Sequence, residues 1–189
     1  MLSTIQADQA DSPILSSRAV NVSNTQARTA AAPSPTHQLL ITFDDSAQPL
    51  LLPIHGLVWA LASPLLSTIA SGHSEGSPIP ITLPSSSSFH LLHTWIYLEC
   101  IQALLHPLLA FSDEEETSRA SPNEIVALCS LQEEETLLDR LELLSGLYRN
   151  ALALRVGDTK LWSAMGGAWR ILVDAWQVSR RRGRGGSRD

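Results

Sequence analysis

The sequence predicts an α+β protein in which helix dominates, a small sheet of two or three short strands packed by about five to six helices. Three observations carry this. Thirty-one leucines stand against ten glycines, which favours helix over an all-β sandwich. Apolar runs of strand length occur only between residues 39 and 83. Beyond residue 89 the apolar residues recur at helical three-and-four spacing.

In chain order, residues 1–37 contain no aromatic residue and are rich in Ser, Ala, Thr, Gln and Pro, the composition of a disordered leader. Leu39 to Phe43 is an apolar run stopped by Asp44-Asp45-Ser46. With Pro49 to Pro53 it reads as a strand pair joined by a turn. From Leu57 to Ala70 the residues 57, 58, 61, 65 and 69 share a helical face, and Pro64 divides that stretch into two short pieces or kinks it. Ile79 to Leu83 is the third strand. Ser85 to Ser88 supply N-cap candidates for an apolar, central helix over Phe89–Glu99. A leucine-rich helical piece follows over about 101–111, interrupted by Pro107. Residues 112–120 form an acidic, exposed loop.

Ser121-Pro122-Asn123-Glu124 has the order of a capping box with proline at the first helical position. Leu137, Leu138, Leu141, Leu144, Tyr148, Ala151 and Leu152 then mark a long amphipathic helix. Gly157 is its expected stop and Asp158 the N-cap of the last helix. There Leu161, Trp162, Met165, Trp169, Leu172, Val173 and Trp176 lie on one broad apolar face. Residues 179–189 are an Arg/Gly tail.

The formal charge of −6 averages three unlike pieces: residues 1–37 sum to zero, 38–178 to −10 and 179–189 to +4. Two cysteines are too few for a disulfide framework or a structural zinc site. The N-terminus lacks the pattern of a signal peptide, and no apolar run reaches the ~20 residues a bilayer needs. The expectation is an intracellular protein with no membrane association.

His55-Gly56-Leu57-Val58-Trp59-Ala60-Leu61-Ala62-Ser63-Pro64 follows the strand pair, an order of motifs that resembles the BTB/POZ domain. Ile81-Thr82-Leu83-Pro84 and then Phe89 to Tyr97, with Trp95 inside, are similar to its next strand and the helix that Phe opens and Tyr ends. Together with Gly146 to Asn150, Leu154 to Asp158 and the Trp162–Trp169 helix, the chain looks more specifically like the clampless family of fungi, over about residues 38–178. Leu66 stands where that fold usually has Phe, and Leu98-Glu99 replaces the usual Thr-Gly. The resemblance implies a BTB-like fold in which His55, Ser63, Pro64, Phe89, Trp95 and Tyr97 are structural. It also implies a regulator of sexual development acting through other proteins, transcription regulators among the candidates, with a homodimer as one state.

No nucleophile–base constellation, P-loop, dinucleotide motif or zinc-protease motif is present, so catalysis, a cofactor and a small-molecule substrate are not expected. His90 and His93 are three apart on one helix, but no further ligands accompany them, so ordinary hydrogen-bonding roles are expected. The tryptophans at helical spacing read as core; where exposed, Trp59, Trp162, Trp169 and Trp176 are candidates for a partner surface. Ser112, Thr117, Ser118 and Ser121 are candidate phosphorylation sites. Arg180, Arg181, Arg182, Arg184 and Arg188 read best as a nuclear import signal, giving a nuclear or nucleo-cytoplasmic expectation. Weak, salt-sensitive nucleic-acid contact is the alternative for that tail, since the −10 body repels nucleic acid. A cullin-ligase substrate adaptor is the other alternative function.

Overall fold

The structure, a computed structural model, describes residues 34–70, 77–109 and 121–185. Its sheet has three strands, β1 (His37–Phe43), β2 (Ser46–Ile54) and β3 (Ile79–Leu83), in the order β2-β1-β3. Strand β1 pairs antiparallel with β2 and parallel with β3, so the sheet is mixed. Alternation puts Leu39, Ile41, Ile79, Ile81 and Leu83 on the covered face, while Leu40 and Leu51, opposite each other, face out. Pro80 sits in β3, an edge strand, where a missing N–H is tolerated.

Seven helices are present among the described residues, against the five to six expected. They are α1 (Gly56–Ala62), α2 (Pro64–Ala70), α3 (Phe89–Leu98), α4 (Ile101–Leu109), α5 (Pro122–Cys129), α6 (Glu134–Ala153) and α7 (Thr159–Gly185). The break expected near Pro64 falls at Ser63, whose backbone is extended. Helix α3 is central, burying Phe89, Leu91, Leu92, Trp95 and Ile96. One continuous core joins the covered sheet face to α3, α4, α6 and α7.

Four expectations are corrected. Pro107 does not interrupt α4 but lies inside its last turn. The carbonyls left there are capped from outside: Arg140 donates to the Pro107 carbonyl at 2.7 Å, and the Gln132 amide to that of Leu109 at 3.0 Å. Ser88 precedes α3 without capping it, because its buried hydroxyl is taken by Asn150 at 3.1 Å. Helix α6 stops before Gly157. The left-handed residue is Arg155 (φ 53°), and the amides of Arg155 and Val156 bond back to the carbonyls of Leu152 and Ala151, a Schellman ending. The hydrophobic contact of that motif is met by buried Val156. Finally, residues 179–185 continue α7 as helix rather than forming a tail.

Candidate interaction surface

Helices α6 and α7 form an antiparallel hairpin. Tyr148 stacks edge-to-face on Trp162 at 5.4 Å near the turn, and Glu134 accepts from the Trp176 indole at 3.1 Å at the far end. Leu137, Leu144, Leu147 and Ala151 of α6, with Leu161, Met165, Ala168 and Leu172 of α7, face the core. The stripe of α6 is wider than the core can cover. Leu138, Tyr148 and Leu152 remain substantially exposed, as does Trp169 on α7.

Between them lies an apolar groove of about 320 Å³. Tyr148 and Ser145 form one wall, Trp162 and Trp169 the other, and Gly166 lies on the α7 side. Tyr148 is 49% and Trp169 47% exposed, so two large aromatics of the kind that anchor interfaces stand half in water. A second exposed apolar patch lies on α1, where Leu57 and Leu61 are 74% and 79% exposed. The outer face of β2, with Leu51, is a third.

The other tryptophans are placed differently. Trp59, a candidate surface residue in the sequence, is fully buried against Phe89 and His93, so it cannot present a surface. Among the described residues its indole nitrogen has no hydrogen-bond partner. Trp162 is half-buried and donates to the Val156 carbonyl at 2.9 Å. Half-buried Trp176 donates to Glu134 and carries the Arg180 guanidinium 4.8 Å above its ring.

The motif residues hold the fold together. His55 and Tyr97 meet twice: the His55 backbone N–H donates to the Tyr97 hydroxyl at 3.1 Å, and the imidazole Nδ1 lies 3.2 Å from it. Ser63, fully buried, donates to the Leu154 carbonyl and accepts from the Leu66 N–H. Pro64 opens α2. Phe89 packs edge-on to Phe43 at 5.7 Å. Trp95 donates to the Asp158 carboxylate at 2.8 Å, and the other oxygen of that carboxylate caps α7 at the Lys160 N–H.

His90 and His93 do not converge. The His90 ring bonds the Ser87 carbonyl, while His93 lies among Trp59, Phe89 and Tyr97, where burial lowers its pKa. Burial likewise pushes the Cys129 thiol up to about 11. Ser121 caps α5 in a full capping box: its N–H donates to Glu124 at 2.6 Å, and its hydroxyl accepts from the Glu124 N–H at 3.4 Å. Those bonds lower the Glu124 pKa. Ser112, Thr117 and Ser118, with the acidic loop 112–120, lie outside the described residues.

The arginines do not act as one patch. Arg180 pairs with Glu134 at 3.5 Å, and Arg182 donates to the Ser130 carbonyl at 3.4 Å. Arg181 is exposed on α7, and Arg184 lies on the same helix; Arg188 is outside the described residues. No helix among the described residues is long and apolar enough to cross a membrane.

Sequence reading named Trp162 and Trp169 of the groove as candidates for a partner surface but not Tyr148 or Ser145, because the spacing of the α6 stripe places Tyr148 on its apolar face without telling how much of that face is covered. It also missed Asn150, a fully buried amide whose only sequence signal was a polar residue at a core position of that stripe.

Residues 101–187 match the family model described as the Clampless protein 1 C-terminal domain. The match begins at α4, so the His55–Tyr97 motif lies outside it, while both walls of the groove lie inside. Over 95 residues, 50% of this chain, the sequence is 30% identical to Clampless protein 1 of two strains of Cryptococcus neoformans var. neoformans serotype D. The match covers 19% of those proteins, so the chain spans only a small part of the relatives it matches. From α4 to α7, both walls of the groove included, this chain is similar to the C-terminal domain of Clampless protein 1.

Proposed function

We propose that this protein is a non-catalytic protein–protein interaction module acting in fungal sexual development, with a BTB/POZ-like N-terminal half and a place of action in the nucleus. The observation that carries the reading is the open aromatic groove of α6 and α7, which falls within the segment similar to Clampless protein 1. A half-exposed tryptophan and tyrosine flanking an apolar hollow are the anchor residues of a docking surface. The BTB-like assignment is supported by the order of strand pair, α1, the Ser63-Pro64 break, β3 and α3, with His55 and Tyr97 bonded across it. Partners are other proteins. Engagement of Arg180 and Arg182 within the fold weighs against nucleic acid as the main ligand.

The test is genetic. In the source fungus, a chain carrying Tyr148→Ala and Trp169→Ala, shown to be folded and expressed, is expected to fail in mating development. Normal development with that variant overturns the reading. Nuclear action is tested with Arg181→Gln, Arg184→Gln and Arg188→Gln together, which are expected to leave a tagged chain outside the nucleus. Unchanged nuclear accumulation removes the import role.

A further inference from the structure

We propose that Ser34 is a phosphorylation site: a proline-directed serine/threonine kinase transfers the γ-phosphoryl group of ATP to its hydroxyl, marking the approach to β1. This goes beyond the interaction-module reading and makes no use of the α6–α7 groove.

The first argument is a pairing in the sequence. Five of the eleven prolines directly follow a serine, at Ser12, Ser34, Ser63, Ser77 and Ser121. A proline-directed kinase reads that ring, because its site offers no partner for an amide N–H on the residue after the acceptor. The ring also holds the preceding serine in extended backbone, the form in which a substrate segment lies in a kinase cleft.

The second is what the fold leaves available. Ser63 is fully buried and donates to the Leu154 carbonyl. Ser121 caps α5: its hydroxyl accepts from the Glu124 N–H, and the chain turns into helix at Pro122. Ser77 is exposed, but two residues on Ile79 is buried in β3 and registered against Leu39, which ties that segment to the sheet. Ser12 lies outside the described residues. Among the described serine–proline pairs only Ser34 stands clear: Ser34, Pro35 and Thr36 are all exposed and precede β1. Its hydroxyl has no hydrogen-bond partner among the described residues.

The third is where the phosphate stands. Just beyond Pro35 the chain is pinned to the domain: the Thr36 N–H donates to the Ile54 carbonyl at 2.9 Å, and the Thr36 hydroxyl accepts from the Gly56 N–H at 2.9 Å. Ser34 takes part in neither bond, so its modification breaks nothing and acts as a displayed mark. In the step, the Ser34 Oγ–phosphorus bond forms as the bond from the γ-phosphorus to its bridging oxygen breaks. ADP leaves with that electron pair, and the hydroxyl proton passes to the kinase's base. The added charge, about −1.5 to −2, is of the kind that an arginine cluster on a partner protein reads.

The full chain incubated with Mg-ATP and a purified proline-directed kinase, cyclin-dependent and mitogen-activated types in parallel, tests this by mass-spectrometric site mapping. Ser34 is expected to be labelled at least about tenfold faster than Ser63, Ser77 or Ser121 by one of them. Pro35→Ala is expected to slow that labelling at least about tenfold. The phosphorylated chain is expected to melt at the same temperature as the unmodified one. Ser34 unlabelled by both kinases overturns the proposal, as does labelling indifferent to Pro35→Ala, or Ser77 or Ser121 labelled as fast in the native chain. A phosphorylated chain that melts lower overturns the marking role, and so does Ser34 without phosphate in chain recovered from the source fungus through mating development.

Discussion

The side-chain amide of Asn150 bonds the backbone of Ser85 in both directions, accepting from its N–H at 2.9 Å and donating to its carbonyl at 2.7 Å. Sixty-five residues separate the two, and both are buried. Asn150→Ala leaves a buried N–H and a buried carbonyl without partners. A loss of about 3 kcal/mol in urea denaturation is expected, with the two deprived groups as its main source.

Asp158 joins the start of α7 to α3, one oxygen serving the Trp95 indole and the other the Lys160 N–H. Trp95→Phe removes only the first bond and Asp158→Ala removes both. A double-mutant cycle is expected to return a coupling of about 1 kcal/mol, and strict additivity would show that the bond contributes nothing.

Two glycines predict opposite outcomes. At Gly146 an added Cβ would lie 2.6 Å and 2.8 Å from the hydroxyls of Ser85 and Ser88, the latter bonded to Asn150. Gly146→Ala is therefore expected to destabilise despite alanine's better helix propensity. At Gly166 no atom of the described residues lies within 4 Å of the added methyl, and Gly166→Ala is expected to raise stability by up to about 1 kcal/mol. Thermal melts of the two variants side by side check the contrast.

His93 makes stability depend on pH. Burial among aromatic rings holds its pKa below the ordinary 6.5, so the unfolded chain takes up the proton more readily than the folded one. Its contribution is therefore present above that ordinary value and lost as pH falls through and below it. Melting temperatures at about pH 8 and about pH 5 should differ less for His93→Gln than for the wild type.

The two thiols should differ in reactivity. Cys129 is buried and its thiol is pushed up to about 11, whereas Cys100 is partly accessible. Only the thiolate attacks a disulfide reagent, so labelling of the native chain should stop at Cys100 and reach Cys129 only on denaturation. Rapid labelling of both in the native state would show that the α4–α5 region opens readily.

Much of the fold was legible because its signals are local. The strand pair, the break before Pro64, the Ser121 capping box and the Asp158 cap each rest on side chains within a few residues of the backbone they serve. What escaped depends on distant partners. Ser88 fails to cap α3 because Asn150 takes its hydroxyl, and Pro107 is tolerated where Arg140 and Gln132 cap the helix end. Arg155 rather than Gly157 adopts the left-handed position because Val156 must be buried to close the motif. The α6 wall of the groove escaped for a related reason: helical spacing tells which residues share a face, not how much of that face a neighbour covers. Only the pairing of α6 with α7 leaves Tyr148 and Trp169 in water while Leu144 and Met165 are sealed.

The unbroken run of α7 makes it a strut. Its first turns are clamped by Asp158 and by buried Leu161 and Met165, and it carries Arg180, Arg181 and Arg182 far along the same rod. At 1.5 Å per residue, Arg181 stands about 30 Å from Lys160. A load applied to those arginines is thus carried along α7 into its seam with α6.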